Sequence, residues 1–378
     1  MHVGMAVVFQ GLEAGRTDNE IWRAQLAMAD EAEPLGFDSI WTTEHHFTDY
    51  SMSPNPTQFL TWAAARTRRV QLGSMVIVVP WHNPVRLAEE LCVLDTMSDG
   101  RLLAGFGRGL GPVEFDGFGI EMGESRQRFI EYSSAIVQGL TTGHIEYDGV
   151  HLKQPRVAVR PAPVLSFAGR FYASAVSPQS ARIMARLGFG LLVIAQKPWD
   201  VTIREITEYR ELYQEVNGQP PPRPVLVNWT TIHEDAATAQ QNRDNYGVAY
   251  ARSCTKHYEF TNPRLSSVAG YEYYEALRHK IEKYGEDNFS RFLADLQIAG
   301  TPEEVAEQTI ERVRLLDAGG VVNTFAFGGM PMPLVQRSYR LYAETVLPLL
   351  KATDEFRSLG VVPTPESEAS PEALAAAR

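Results

Sequence analysis

Residues 70–107, VQLGSMVIVVPWHNPVRLAEELCVLDTMSDGRLLAGFG, carry the pattern that decides the fold. The apolar runs at the two ends are rich in aliphatic and β-branched residues, as strands buried on both faces are. Between them, Pro84 suits the first position of a helix, Leu87 and Leu91 begin its apolar stripe, and Gly100 follows its end. The stretch therefore predicts a strand, a helix and a second, parallel strand.

The same alternation of short apolar runs and helical stretches recurs along the chain. Thr17 with Glu20, and Thr301 with Glu304, have the spacing of a capping box at two helix starts. Eight parallel strands can close into a barrel, although an open doubly wound sheet is the competing arrangement. We predict an α/β fold, a single (β/α)8 TIM barrel. The predicted strands are residues 3–9, 39–43, 70–79, 102–107, 171–176, 191–195, 224–232 and 321–327.

Two segments exceed the short loops that a barrel needs, and we place them as insertions after strands 4 and 7. The sequence of residues 142–165 predicts a small hairpin. Residues 253–296 are rich in tyrosine and form a candidate lid over the active-site face, with an excursion packed on the barrel as the alternative. The barrel domain then spans residues 1–352, and residues 353–378 form a loose tail because their composition is poor in core residues.

Composition excludes several classes of protein. The chain has 378 residues and a formal net charge of −11, whereas non-specific nucleic-acid binding requires a basic surface. Two cysteines cannot build a disulfide framework or a Cys-rich zinc site. The sequence shows no secretory signal and no uncharged apolar run of the ~20 residues that span a bilayer. We therefore expect a cytoplasmic protein that binds neither nucleic acid nor a membrane.

The sequence Glu44-His45-His46 directly follows the second predicted strand, where (β/α)8 enzymes carry catalytic residues. Adjacent residues on a strand point to opposite sides, so the two histidines are poor joint ligands for one metal ion. No third ligand stands at a recognisable spacing, and we expect no metal site. One imidazole should face the barrel mouth, where it suits proton transfer, unless it serves only as a hydrogen-bonding group.

Two arginines and a small-residue loop indicate a phosphate site. Arg108 lies in a glycine run after strand 4 and Arg126 begins the next helix, and a guanidinium binds phosphate through paired hydrogen bonds. Each alone is more often a solvated or ion-paired surface residue. The sequence SAVSP at residues 174–178 closes strand 5 and opens a helix whose free N–H groups suit a phosphate, although helix capping by Ser177 accounts for the same residues.

Several stretches, in the same order along the chain, resemble the bacterial luciferase-like flavin monooxygenase family. They are SIWTTEHHFTDYSMSPNP at 39–56, VQLGSMVIVVPWHNPVRLAEELCVLDTMSDGRLLAGFGRGL at 70–110, FGIEMGESR at 118–126 and TPEEVAEQTIERVRLLDAGGVVNTFAFGG at 301–329. The resemblance implies a (β/α)8 barrel that binds reduced FMN supplied by a separate flavin reductase. Oxygen then adds at the flavin C4a position, and the peroxyflavin oxygenates a small, mostly apolar organic substrate.

The resemblance also implies roles for individual residues. His45 matches the histidine beside the reacting flavin, and Arg108 and Arg126 match the pair that holds the phosphate. Met75-Val76 matches a non-prolyl cis peptide bond under the flavin ring. Gly107 stands where the luciferase catalytic subunit has a cysteine, which predicts extra space beside the flavin and argues against light-emitting aldehyde oxidation. The implied cofactor-binding residues are Met75, Val76, Arg108, Arg126, Ser174, Ala175 and Ser177.

The same residues are also compatible with other functions. A dehydrogenase or reductase of this superfamily would transfer hydride with a deazaflavin, and a flavin-binding protein would lack catalysis. A metal-dependent hydrolase is disfavoured by the missing ligand set. Relatives form dimers through helices that flank strands 2 to 4, so we expect a homodimer, with burial against the barrel as the alternative for the apolar residues of that region. These residues are Phe59, Leu60, Trp62, Ala63 and Ala64.

Overall fold

The fold is described from a computed structural model, which covers residues 1–174 and 178–353. Eight parallel strands, labelled β1 to β8, pair each with the next, and β8 pairs with β1 to close a barrel. The structure is therefore the predicted (β/α)8 TIM barrel. The strands are β1 His2–Val7, β2 Ser39–Thr42, β3 Gln71–Ser74, β4 Leu102–Gly107, β5 Phe171–Ser174, β6 Gly190–Ile194, β7 Val225–Ile232 and β8 Gly320–Thr324.

Helices surround the barrel, and both predicted capping boxes are present. The side chains of Thr17 and Thr301 accept from the backbone N–H of Glu20 and Glu304, which each return the bond. The helices are α1 Asp18–Ala32, α2 Pro56–Arg66, α3 Pro84–Met97, α4 Pro112–Phe118, α5 Ser125–Thr142, α6 Pro178–Leu187, α7 Trp199–Asn217, α8 Ala236–Asn242, α9 Val248–His257, α10 Pro263–Ser267, α11 Tyr273–Tyr284, α12 Glu286–Asp295, α13 Pro302–Leu316, α14 Met332–Leu341 and α15 Leu347–Ala352.

The third strand is shorter than the predicted run of residues 70–79. It ends at Ser74, and after the Met75–Val76 peptide a separate short strand, Ile77–Val78, pairs with β4. The Ser74 hydroxyl exchanges hydrogen bonds with the backbone of Gly105 at 2.8 and 2.9 Å. A Cβ atom at Gly105 would lie 1.9 Å from the Ser74 carbonyl oxygen, so only glycine permits this close approach of β3 and β4.

The bottom of the barrel is closed by a buried tryptophan. Trp41 is fully buried in the barrel interior and donates from its indole nitrogen to the Ser39 hydroxyl at 2.7 Å. A Cβ atom at Gly73 would lie 2.2 Å from the Trp41 ring, so this glycine makes room for the indole. His2 Nε2 bonds the same hydroxyl at 2.7 Å. Any ligand space in the barrel must therefore open at its C-terminal end.

A second apolar layer lies between the strands and the helices and includes most of α2. Phe59, Leu60, Ala63 and Ala64 are all buried there, and only Trp62 of the predicted dimer surface is half-exposed. The prediction that these residues offer a contact surface is therefore wrong for four of the five. A helix on a barrel must bury one side, and these residues form that side.

The two predicted insertions take different forms. The segment 142–165 contains an antiparallel hairpin of His144–Asp148 with Lys153–Ala158. The segment 253–296 is helical: it holds the end of α9 and all of α10, α11 and α12, and α12 packs on α9. Of the predicted tail, all but Thr353 lies outside the described residues. Within the described part of the chain, no helix has the length and apolarity that a bilayer crossing requires.

Candidate functional site

A cavity of about 750 Å³ opens at the C-terminal ends of the strands. Its inner wall includes Val8, Thr43 and Thr324, which follow or end barrel strands, and Val227 within β7. Its outer wall comes from α9, α11 and α12, which cover this end of the barrel. The volume lies in the range of ~300–1,000 Å³ that is typical of small-molecule sites. The cavity is therefore the candidate active site.

His45 and His46 point in opposite directions. The His45 ring lies on the cavity wall, with Nδ1 3.1 Å from Glu114 Oε1 and Nε2 3.4 Å from the Tyr258 hydroxyl. The His46 ring points away, packs against aromatic rings, and places Nε2 3.2 Å from Glu44 Oε1. Of the two histidines, only His45 can reach a molecule in the cavity.

A buried carboxylate organises this histidine. The Glu114 side chain, at the first turn of α4, is 1% exposed and also accepts from the His46 backbone N–H at 2.9 Å. Its second oxygen lies 3.4 Å from Nε2 of the buried His257. Burial alone would raise the pKa of Glu114, but His45 and His257 outweigh it and hold that pKa at about 2.

The ionised Glu114 fixes the tautomer of His45. A carboxylate can only accept hydrogen bonds, so His45 Nδ1 carries the proton and donates it to Glu114. The Nε2 atom is then an acceptor that faces Tyr258 at the cavity wall. Burial raises the pKa of the Tyr258 phenol well above its ordinary value, so its hydroxyl remains a donor. His45 Nε2 is therefore available to take or return a proton in the cavity.

His45, Glu114 and His257 together are also a ligand set for a divalent metal, with their ligand atoms all within 4.8 Å of one another. The sequence argument against a metal considered His45 with His46 and found no third ligand, whereas the fold brings Glu114 and His257 to His45 from distant segments. One Glu114 oxygen accepts from the His46 backbone N–H and lies beside His45 Nδ1, whereas the other lies 3.4 Å from His257 Nε2, which is buried without a hydrogen-bond partner. That the protein binds no metal stays a prediction, which metal analysis of the purified protein tests.

A second buried carboxylate, Glu44, holds the chain that forms the floor of the cavity. It accepts from the Val78 backbone N–H at 2.6 Å and lies 2.8 Å from His82 Nε2. Burial works to raise the pKa of Glu44, but hydrogen bonds from His46 and His82 outweigh it and keep that pKa below its ordinary value. Glu44 thereby ties the end of β2 to the segment that follows Met75–Val76.

The Met75–Val76 peptide bond is cis, the conformation that the resemblance implies, and both residues line the cavity. The position of these two residues changes what the glycine at position 107 implies about space in the cavity. A Cβ atom at Gly107 would lie 2.2 Å from Val76 Cγ2, so the Val76 side chain already fills that space. The prediction of extra room at Gly107 is therefore wrong, because a side chain from the neighbouring segment compensates for the missing one.

Arg108 and Arg126 converge on one point above the barrel. Arg108 Nη1 and Arg126 Nη2 donate to the same backbone carbonyl, that of Gly270, at 3.0 and 2.9 Å. Arg108 also lies 3.8 Å above the Tyr271 ring. The Arg126 Nε atom is buried without a hydrogen-bond partner, and burial together with Arg108 lowers the pKa of Arg126. Two guanidinium groups held this close favour an anion between them.

The predicted phosphate loop is only partly described. Ser174 ends β5, is half-buried and lines the cavity. Ala175 and Ser177, the other two predicted loop residues, lie outside the described residues.

Sequence reasoning missed three members of the site: Glu114, His257 and Tyr258. Glu114 reads as an ordinary acidic residue in the first turn of a helix, where it also favours the helix dipole. His257 and Tyr258 lie in the second insertion, far along the chain from His45. The tyrosine-rich composition of residues 253–296 was the only signal, and it identified the segment without identifying the partners.

Comparison with known proteins places the chain in a family. The family model described as luciferase-like monooxygenase matches residues 1–318. The alkanal monooxygenase alpha chain of Photorhabdus luminescens is 27% identical over 365 residues, which are 93% of this chain and 97% of that protein. The crystal structure of monooxygenase RslO1 from Streptomyces bottropensis is 26% identical with a TM-score of 0.75, covering 92% of this chain and 99% of that chain.

Two more distant structures share the fold and differ in cofactor. The oxygenating constituent of 3,6-diketocamphane monooxygenase from Pseudomonas putida, solved with FMN, has a TM-score of 0.67 at 18% identity and covers 92% of this chain and 98% of its own. An F420-dependent secondary alcohol dehydrogenase has the same TM-score at 16% identity and the same coverage. At these identities they show the fold alone. The family model, which matches most of the chain, shows that this protein belongs to the luciferase-like monooxygenases, a family of flavin-dependent oxidoreductases.

Proposed function

We propose that the protein is the oxygenating component of a two-component monooxygenase that uses reduced FMN and O₂ on a small, mostly apolar organic substrate. The observation that carries this proposal is His45, held by the ionised Glu114 with Nε2 at the wall of a largely apolar cavity. A proton acceptor in that setting suits oxygen chemistry on a bound flavin. The curated alkanal monooxygenase relative supports the same reaction class.

The residues present fit a flavin phosphate. The buried Arg126 Nε lacks a partner, and among the described residues the two guanidinium groups donate to the Gln179 side chain and the Gly270 carbonyl. A phosphate bound there would replace that carbonyl with a charged acceptor, which forms stronger hydrogen bonds. Met75, Val76 and Ser174 would then lie along the rest of the flavin. FMN is therefore the cofactor that we propose.

Within this proposal, each part of the site has a physical task. Reduced FMN supplies the electrons that activate oxygen. His45 Nε2 holds or returns the proton that this chemistry requires, and Glu114 stabilises the imidazolium while it is charged. Aromatic side chains of α9, α11 and α12 line the outer side of the cavity and, once a substrate covers the exposed rings, would exclude water from it, as a site that handles reactive oxygen requires.

Anaerobic titration with photoreduced FMN tests the proposal directly. We expect a Kd below ~100 μM, which corresponds to more than ~5.5 kcal/mol of binding. Arg126→Ala should weaken reduced FMN about 10- to 100-fold, the loss of one hydrogen bond to a charged group, and leave reduced riboflavin unchanged. Arg128→Ala is the matched control, because Arg128 lies on the same helix but pairs with Glu124. Equal losses for FMN and riboflavin would contradict the phosphate assignment.

Oxygen consumption distinguishes the proposed monooxygenase from the deazaflavin-dependent alternative. We expect a screen of small ketones, aldehydes and aromatic compounds, run with FMN and a generic flavin reductase, to give O₂ consumption that depends on the substrate. Hydride transfer with a deazaflavin and no O₂ uptake would favour the dehydrogenase instead. A separate reductase partner and a reducing, cytoplasmic location belong to the same proposal. Cys92 and Cys254 are both buried free thiols, which suits such a compartment.

We also infer a homodimer, through α3 and not through the α2 residues named above. Val93 and Met97 of α3 are 42% and 50% exposed, and α3 is one of the helices that flank strands 2 to 4, through which relatives are expected to pair. Light scattering after size exclusion should give twice the chain mass of 42.2 kDa. Val93→Glu should shift the population toward the monomer because it buries a charge in an apolar interface. A dimer unaffected by this change must use another face.

A further inference from the structure

The residues that line the cavity have a composition unlike that of the rest of the chain. None of the described residues that line the cavity is Asp or Glu, although the chain contains 46 of them. Ten lining residues are aromatic, and these are Tyr50, Trp229, Tyr250, Tyr258, Phe260, Tyr273, Tyr274, Tyr284, Phe289 and Phe292.

Part of this aromatic wall is open to solvent. Tyr273, Tyr284 and Phe292 are 42%, 58% and 37% exposed, and all three line the cavity. Exposed apolar side chains gathered in one place mark a surface that a ligand covers. Rings are favoured there because aromatic side chains stack on planar partners.

Two lysines also line the cavity, and they differ in their ion pairing. Lys197 Nζ lies 2.7 Å from a Glu205 carboxylate oxygen, so its charge is balanced within the protein. Lys280 on α11 has no acidic partner among the described residues. Among the described residues that line the cavity, Lys280 is therefore the cation without an ion-pair partner, and its side chain is exposed.

The sequence of α11 explains why Lys280 stays unpaired. A helical residue meets the side chains three and four positions away. For Lys280 these are Ala276, Leu277, Lys283 and Tyr284, and none is acidic. Arg278 on the same helix shows the opposite pattern. It is paired on both sides, with Glu275 and Glu282.

We propose that the substrate is an aromatic organic anion, a ring system carrying a carboxylate or phenolate. Its rings lie against the aromatic wall and its anionic oxygen binds Lys280. This inference rests on the proposed function, since it names the substrate class of the same site. The absence of lining carboxylates favours an anion in the cavity of an otherwise acidic protein. The FMN phosphate is the other anion that Lys280 could bind, and the experiment separates the two.

A matched pair of fluorescent probes tests whether Lys280 binds the negative charge of an aromatic ligand. 8-Anilinonaphthalene-1-sulfonate is an aromatic anion, and N-phenyl-1-naphthylamine is its uncharged parent. We expect Lys280→Gln to raise the Kd of the sulfonate at least about tenfold while that of the parent stays within about twofold. Lys280→Arg should restore the sulfonate affinity. Lys283→Gln is the control, because Lys283 is, like Lys280, an exposed lysine of α11, but it does not line the cavity.

Three outcomes would overturn the inference. Equal effects of Lys280→Gln and Lys283→Gln would mean that surface charge in general attracts the sulfonate. Equal losses for both probes would mean that Lys280 supports the wall and does not bind an anion. If Lys280→Gln weakens reduced FMN but not reduced riboflavin, Lys280 binds the flavin phosphate. Failure of the wild-type protein to bind reduced FMN would count against the proposed function alone, because the probes are measured without flavin.

Discussion

His45→Ala should lower turnover at least ~100-fold while leaving the binding of reduced FMN within a few-fold of the wild type. The reason is that alanine removes the imidazole of His45, the one histidine among the described residues that line the cavity, whereas the apolar surface and both arginines remain. Steady-state rates with a substrate from the oxygenation screen give the turnover. The anaerobic flavin titration gives the binding.

The neighbouring histidine provides the control. His46→Gln changes the same residue type one position along the chain, but the His46 ring points away from the cavity and contacts Glu44 and aromatic side chains. We expect its turnover to stay within about threefold of the wild type. If His45→Ala retained full activity, proton transfer would have to occur elsewhere, and Tyr258 would become the first residue to examine.

The substitution Glu114→Gln tests how far the charge of Glu114 supports His45, separately from proton transfer by His45 itself. The amide keeps the shape but removes the negative charge that fixes His45 and stabilises its protonated form. We expect kcat to fall about tenfold or more with a shifted pH profile, and KM to change little, because Glu114 does not line the cavity. A lower stability with an unchanged pH profile would show that Glu114 is structural only.

The barrel could be predicted because its signals are local. Each strand is a short apolar run and several helix starts carry their own signal, as at Thr17 and Thr301, and these patterns are present in the structure. The end of β3 could not be predicted. Residues 70–79 form one apolar run, but a cis peptide bond and the close approach of Ser74 to Gly105 divide it. Such contacts between segments leave no trace in the pattern of a single segment.

The functional site shows the same difference between residues with local signals and residues that act through contacts between segments. His45, Arg108 and Arg126 follow strands or begin helices on one face, so their position along the chain was enough to nominate them. Glu114 and His257 act through pairings that exist only after folding, and neither stands in a local context that suggests chemistry. The same holds for Val76, whose side chain fills the space that Gly107 leaves.

The largest effect on stability should come from a buried ion pair at the other end of the barrel. Arg170 Nη1 lies 2.6 Å from Asp95 Oδ1, and the two side chains are 3% and 0% exposed. Arg170 also donates to the carbonyls of Leu102 and Leu165 at 3.1 and 2.6 Å, and Asp95 accepts from the Val164 backbone. The pair therefore joins α3, β4 and the end of the first insertion.

Asp95→Ala should lower the free energy of unfolding by about 3–5 kcal/mol, because it leaves the Arg170 charge buried without its partner. Urea unfolding followed by tryptophan fluorescence measures the change. Asp30→Ala is the matched control: Asp30 pairs with Arg66 at the surface, where an ion pair contributes about 0–1 kcal/mol. The double variant Asp95→Leu with Arg170→Met removes both charges, and we expect it to be more stable than Asp95→Ala. If the double variant were the less stable of the two, the remaining hydrogen bonds of Arg170, and not its charge, would hold this end of the barrel together.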